Sequence, residues 1–260
     1  MDNSKKLAVL IDAENVSSKY VKIILEEALN YGNLIFKRIY GNWTSSLMTG
    51  WKDVILDCSI QPIQQYSNTS GKNSSDSALI IDAMDLLYTD RLDGFCIVSS
   101  DSDFTRLASR LKESEKFVLG MGETKTPKSF VNACDKFTYI DLLAQEKDDI
   151  EQAKSSVEIS ANKETEDSSQ SGRDKENVIN TIKKLIEENS DDSGWIFSGV
   201  LGNLIMKRYP DFDVRLFGFK KFLPFIQSIG MFDVEVTPSE QNKNVKQVYI
   251  RNSVKSKAKH

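Results

Sequence analysis

Histidine is almost missing from this 260-residue chain; the single one, His260, is the last residue of a lysine-rich tail. A Ser-His-Asp or Cys-His nucleophile needs an imidazole inside the fold, so that chemistry is set aside. Zinc hydrolases of the usual His-ligand kind go with it. Cysteine is scarce too. Cys58, Cys96 and Cys134 are widely spaced, and two lie in or beside apolar runs. They read as reduced thiols, not as a disulfide framework or a zinc site. No apolar stretch is long enough to span a bilayer. The start, Met1-Asp2-Asn3-Ser4-Lys5-Lys6, has neither the apolar core nor the cleavage site of a signal peptide, so a cytoplasmic protein with no membrane partner is expected. Any hydrolytic chemistry must therefore rest on carboxylates, most naturally with Mg²⁺ or Mn²⁺.

What is present is enough apolar content, 40%, for a sizeable core, and length for one large domain or two ordinary ones. Charge is uneven. Residues 1–144 carry 16 basic and 19 acidic residues, net −3; residues 145–175 carry 5 and 9, net −4; residues 176–260 carry 13 and 10, net +3. The basic end is a mild candidate for nucleic-acid contact.

The most informative stretch is Phe95-Cys96-Ile97-Val98-Ser99-Ser100-Asp101-Ser102-Asp103-Phe104. A short apolar run suits a strand buried on both faces. The helical spacing of Phe104, Leu107, Ala108 and Leu111 puts both aspartates where strand hands over to helix. In an open α/β sheet that position is the ligand crevice. The plainer alternative is that Ser102 or Asp103 caps the helix. Leu7 to Ile11 repeats the pattern and ends in Asp12-Ala13-Glu14-Asn15. Val21, Ile24, Leu25 and Ala28 follow as a helical stripe. Gly32 is expected as a left-handed helix terminus. Leu34–Tyr40 and Ile60–Gln64 read as strands, with a helix between them through Leu47, Trp51, Val54 and Ile55. Lys116–Gly122 and Phe137–Leu143 read as two more strands, with a short helix near Ser129. Alternating strands and helices imply right-handed crossovers and a mostly parallel sheet.

The polar stretch 68–75, containing Lys72, reads as a loop. It leads into a helix capped by Ser75. At ~100° per residue, Leu79, Ile80, Ala83, Leu86 and Leu87 share one face, and Asp76 lies on it. Asp85 points away and Asp82 lies about 120° from Asp76. An inward carboxylate costs free energy unless it is paired, hydrogen-bonded or metal-bound. A helix N-terminus explains why Asp76 is acidic, but less well why it faces inward. If the strands ending in Asp12 and in Asp101–Asp103 are neighbours, four acids converge on one edge. A divalent cation is the usual relief of their repulsion. An EF-hand is excluded: counting Asp101 as first ligand puts Arg106 at the glycine and Lys112 at the closing glutamate.

Residues 145–174 lack branched apolar and aromatic side chains almost entirely, and read as a helix tail running into a flexible linker, 145–175. Beyond it come three helices, through Val178–Ile186, Ser198–Ile205 and Phe219–Ile229. Ser198 caps the second, Pro210 ends it and Pro224 bends the third. Phe232–Val236 and Val248–Ile250 then form a hairpin. That is the layout of a winged helix, over 176–252, with a basic tail at 253–260.

Leu10-Ile11-Asp12-Ala13-Glu14-Asn15, the stretch from Lys72 through Asp76 to Asp82, and Val98-Ser99-Ser100-Asp101-Ser102-Asp103-Phe104 together resemble the NYN domain, in its LabA-like branch, which is similar to PIN-domain ribonucleases. The resemblance covers residues 5–143, within a domain at 1–144. It implies a Rossmann-like, PIN-like parallel sheet with helices on both faces, and a metal-dependent ribonuclease. Asp12, Asp76, Asp101 and Asp103 would be its catalytic metal ligands, with Asp82 second in rank. Asn15 would orient substrate or a water, and Lys72 and Ser100 would touch substrate; Ser100 stands where many members have glycine. Gly194-Trp195 to Leu201, Tyr209-Pro210 and Gly218-Phe219-Lys220-Lys221-Phe222 resemble the OST-HTH, or LOTUS, domain. That resemblance implies RNA binding, a protein partner or a homodimer.

The leading expectation is a Mg²⁺- or Mn²⁺-dependent endoribonuclease tethered to an RNA-binding winged helix. The alternative is a non-catalytic RNA-binding regulator that retains the acids. A haloacid-dehalogenase-type phosphatase is disfavoured, because Glu14, not aspartate, stands two residues after Asp12; Glu14 is expected as a solvated loop charge. Lys207, Arg208, Arg215, Lys220, Lys221 and Lys243 are candidates for phosphate contact. Trp43 and Trp51 could stack on bases, with Trp51 better placed for the core.

Overall fold

Two unbroken apolar runs, Leu7–Ile11 and Phe95–Val98, decide the centre of the first sheet. β1 (Lys6–Asp12) is buried from Leu7 onward, and β4 (Gly94–Val98) is buried throughout. Such strands belong in the middle of a parallel sheet covered on both faces. The computed structural model describes residues 4–66, 74–89, 91–155, 169–238 and 246–253, and falls into two compact units, 1–157 and 158–260.

In the first unit, β1, β2 (Asn33–Gly41), β3 (Gln61–Gln64), β4, β5 (Phe117–Gly122) and β6 (Lys136–Tyr139) form one all-parallel sheet in the order β3-β2-β1-β4-β5-β6. Chain direction across the sheet reverses between β1 and β4. Side chains alternate across the sheet. Val9 and Ile11 of β1 pack with Val21 and Ile24 of α1 (Val21–Leu29), Ile55 of α2 (Lys52–Asp57), and Trp51. On the other face α3 (Ser74–Tyr88) lies against β1 and β2, and α4 (Thr105–Glu113) packs on α5 (Lys128–Ala133). Burying Trp51 and the side chains around it is worth about 2 kcal/mol each.

Some boundaries differ from the sequence reading. Ile140 begins α6 (Ile140–Ser155) instead of extending β6. Ser75 lies inside the first turn of α3 rather than capping it. Gly32 is not left-handed; a Cβ there would lie 2.3 Å from the Lys5 carbonyl oxygen, so close backbone approach is what requires glycine. The helix tail expected after residue 144 is the end of α6; residues 169–175 begin α7 (Ser169–Asn189), and the rest of the expected linker, 156–168, lies outside the described residues. The three cysteines are free, and Cys96 and Cys134 are buried.

The second unit packs α7, α8 (Ser198–Arg208) and α9 (Phe222–Ile229) against an antiparallel sheet of β7 (Ile196–Phe197), β9 (Lys246–Asn252) and β8 (Phe232–Pro238), in that order. Ile182, Leu201, Ile205, Phe225, Ile226 and Ile250 form its core. The two-residue β7 was not foreseen. Ser198 is the first residue of α8 and makes no cap; Pro224 falls in the first turn of α9, where a missing N–H costs nothing. Gly218 and Gly230 end helical turns with positive φ, the conformation glycine adopts freely.

Candidate active site

The site is built at the carboxyl ends of β1 and β4, the neighbouring strands on either side of the sheet's switch point. β1 delivers Asp12, 1% exposed. Asp12 Oδ1 accepts the Glu14 N–H at 3.1 Å. Its Oδ2 accepts Asn15 Nδ2 at 2.7 Å and the Ser99 hydroxyl at 2.8 Å. Burial pushes the Asp12 carboxyl above its ordinary range, against the pull of those bonds.

β4 delivers Ser99, fully buried, and then Asp101. The Asp101 N–H donates to Ser99 Oγ at 3.1 Å, so one hydroxyl ties together the ends of both strands. Asp101 caps the helical turn Ser102–Phe104 by accepting the Asp103 N–H at 2.9 Å. The helix cap foreseen here is thus real, but Asp101 makes it. α3 brings Asp76 in its first turn, 9% exposed and facing inward as its spacing required.

One carboxylate oxygen from each of Asp76, Asp101 and Asp103 lies within 4.8 Å of the others. Asp76 is pushed up to about 6, by burial first and then by the charges of Asp12, Asp101, Asp103 and Glu14. All four expected acids are thus electrostatic neighbours. Asp12 stands beside the close group of three, its oxygens accepting hydrogen bonds from Asn15, Ser99 and the Glu14 N–H.

Other expected site residues take different places. Asp82 is held by Arg38 and by the Tyr40 hydroxyl, away from the acid group. Asn15 fixes Asp12, and Ser100 Oγ accepts the Glu123 N–H at 2.9 Å. Lys72 and Lys243 lie outside the described residues. Lys207, Lys220 and Lys221 are exposed in the second unit, whereas Arg208 pairs with Glu188 at 3.5 Å and Arg215 with Asp213. Trp51 is 3% exposed and belongs to the core. Trp43 is half-buried, its indole N–H donated to the Ile63 carbonyl at 2.9 Å, and it lines a groove with Met48, Ile55 and Gln64.

Two contributors were missed. Ser99 reads in the sequence as one more turn residue, and Glu14 as a loop charge. Glu14 is exposed, but it accepts the Ser75 hydroxyl at 3.1 Å and adds its charge to the field on Asp76. A serine ending a buried strand, directly before the acids, was the available signal for Ser99.

The family model of the NYN domain matches residues 6–141. This chain belongs to the NYN domain family. The OST-HTH/LOTUS domain model matches residues 174–243, so an NYN domain is followed by an OST-HTH/LOTUS domain. No curated protein matches the chain. Among solved structures, a protein of unknown function from Vibrio parahaemolyticus is 18% identical with TM-score 0.45, over 53% of this chain and 93% of that one. An uncharacterised protein from Nitrosomonas europaea is 28% identical with TM-score 0.29, over 40% and 93%. The acids of the NYN domain and the RNA-binding character of the OST-HTH domain fit a nuclease joined to an RNA-binding domain. Among the described residues no helix is long and apolar enough to cross a membrane.

Proposed function

We propose that this chain is a divalent-metal-dependent endoribonuclease, with the NYN domain cutting RNA phosphodiester bonds and the OST-HTH/LOTUS domain supplying RNA affinity. The observation that carries the reading is the close group of Asp76, Asp101 and Asp103 beside buried Asp12 at the crevice of a parallel sheet. The donor set suits Mg²⁺ or Mn²⁺: it offers hard carboxylate oxygens and neither imidazole nor thiolate. The crowding that raises Asp76 is the kind that a cation relieves.

Asp76, Asp101 and Asp103 would hold the ion, and Asp12 would add charge beside it. When bound, a cation of this kind makes a coordinated water more acidic and offsets charge on a phosphodiester. The chain's own residues prepare for that. Asn15 and Ser99 lock Asp12 in one orientation. The Asp101 cap fixes the turn that carries Asp103. Asp76 holds a proton below about pH 6 and becomes an additional anionic donor above it. Lys220 and Lys221 would meet phosphates, a sequence-independent contact that positions substrate. The test is labelled single-stranded RNA incubated with purified protein in Mn²⁺, in Mg²⁺ and in EDTA. Cleavage in metal that EDTA stops is the expected result.

A further inference from the structure

Asp82 was expected at the acid site and instead lies six residues along α3 from Asp76, about 9 Å up the helix axis. Two side chains of β2 reach it: Arg38 through Nη1, and Tyr40 through its hydroxyl. Both point to the α3 face of the sheet, opposite Ile39, which is buried with α1 and α2. Tyr40 is fully buried, and the Arg38 guanidinium sits 5.2 Å from the centre of the Phe36 ring. The Arg38 Nε is buried with no hydrogen-bond partner among the described residues, so its hold on α3 runs through Nη1 to Asp82. These groups are not solvated surface ions; the Arg38 and Asp82 side chains are 19% and 21% exposed.

The pairing matters because of what stands at the other end of the contact. The first turn of α3 carries Asp76 towards Asp101 and Asp103, three like charges in one small space. Their repulsion pushes that turn away from the Ser102–Phe104 turn, against which α3 also packs. The buried apolar face of α3, through Leu79 and Ala83, holds the helix on the sheet, but its non-directional contacts do not single out the position of Asp76 against that repulsion. A hydrogen-bonded ion pair fixes both the height and the rotation of the helix.

We propose that Arg38, Tyr40 and Asp82 are positioning residues that clamp α3 to β2 and thereby hold Asp76 in register with Asp101 and Asp103 for cation binding. The clamp rests on the metal-site reading above, and its test separates the two. Mn²⁺ affinity of the full chain is measured by calorimetry for wild type, Asp82→Asn, Arg38→Gln, Tyr40→Phe and Arg38→Lys. In parallel, amide hydrogen exchange is followed in α3 and α4 of the metal-free proteins. Asp82→Asn and Arg38→Gln should each weaken Mn²⁺ by about tenfold, as outer-shell changes do, and Tyr40→Phe by less. Arg38→Lys, which keeps the charge, should recover most of the affinity. Exchange should quicken in the first half of α3 and stay unchanged in α4. Loss of Mn²⁺ binding in Asp82→Asn with none in Arg38→Gln would make Asp82 a ligand and overturn the clamp. Lower melting temperatures with unchanged Mn²⁺ affinity would overturn it too, leaving a purely structural ion pair. If wild type binds no Mn²⁺, the metal-site reading fails, and exchange alone decides: unchanged α3 protection in the variants refutes the clamp.

Discussion

Acidic residues are treated in opposite ways in the C-terminal unit and at the acid-bearing edge of the N-terminal sheet. In the C-terminal unit carboxylates are matched with arginines: Asp213 with Arg215, Asp233 with Arg251 at 2.9 Å, Glu188 with Arg208 at 3.5 Å. Hydrogen bonds from Ser253 and Arg251 hold the Asp233 carboxyl below its ordinary range. At the edge of the N-terminal sheet the pattern reverses. Among the described residues neither Asp76 nor Asp101 pairs with a lysine or arginine, and Asp76 is raised to about 6. The same residue type is stabilised as an anion in one place and strained as one in the other. A matched carboxylate has its counter-charge already; a crowded group is where an added cation gains most. Within the N-terminal unit, Asp82 with Arg38 belongs to the matched class, and Asp76 on the same helix to the crowded one.

The contrast can be broken first at the metal. Asp101→Asn should lower Mn²⁺ affinity by on the order of 100-fold or more in calorimetry, at or beyond the upper end of what outer-shell changes cost. Asp213→Asn, in the matched class, should leave it unchanged. Equal losses in both would erase the distinction.

A smaller effect concerns RNA affinity. Lys220→Ala with Lys221→Ala should weaken RNA binding roughly tenfold at moderate salt and reduce the slope of log affinity against log salt by about two. Cleavage should then slow chiefly at low RNA concentration. Asp101→Asn should leave that binding largely intact. Fluorescence anisotropy over a salt series reads both.

The smallest effect is on stability, and its sign differs between the units. Asp76 binds its proton more tightly in the folded protein than at the ordinary 3.8, so metal-free stability falls as pH rises from about 4 to about 6. Asp76→Asn removes that fall, and after allowing for solvent screening should stabilise the metal-free protein at pH 7 by about 1 kcal/mol. Asp233 is lowered, so its contribution is present above the ordinary carboxylate value and disappears as pH falls through its lowered one. Asp233→Asn should therefore reduce stability at pH 7. Urea unfolding of the full chain at pH 4.5 and 7 checks both signs.

Much of this was legible in the residues. Buried parallel strands are written as unbroken apolar runs, so β1 and β4 and the acids that end them stood out. The helical wheel placed Asp76 inward because α3 is long enough for its period to be read. What escaped depends on partners distant in sequence. Asp82 looks like a second site acid until β2 brings Arg38 and Tyr40 to it, 44 and 42 residues away. Ser99 gains its role only when Asp12 arrives from 87 residues away. Gly32 looked like a helix terminus because the approach of Lys5 cannot be read locally. The two-residue β7 has no periodicity to detect, since it exists by pairing with β9.

The central claim is that the crowded acids serve RNA hydrolysis while affinity resides elsewhere. Its most direct test is one gel assay with matched binding: wild type and Asp12→Asn, purified identically, on labelled single-stranded RNA in Mn²⁺. Asp12 is buried, hydrogen-bonded and beside the close group of Asp76, Asp101 and Asp103, so its charge can be removed with little change of shape. The account predicts cleavage by wild type, a loss on the order of 100-fold in Asp12→Asn, and RNA affinity within about twofold in both. Equal RNA decay by the two proteins, or none by either at full metal occupancy, would contradict it.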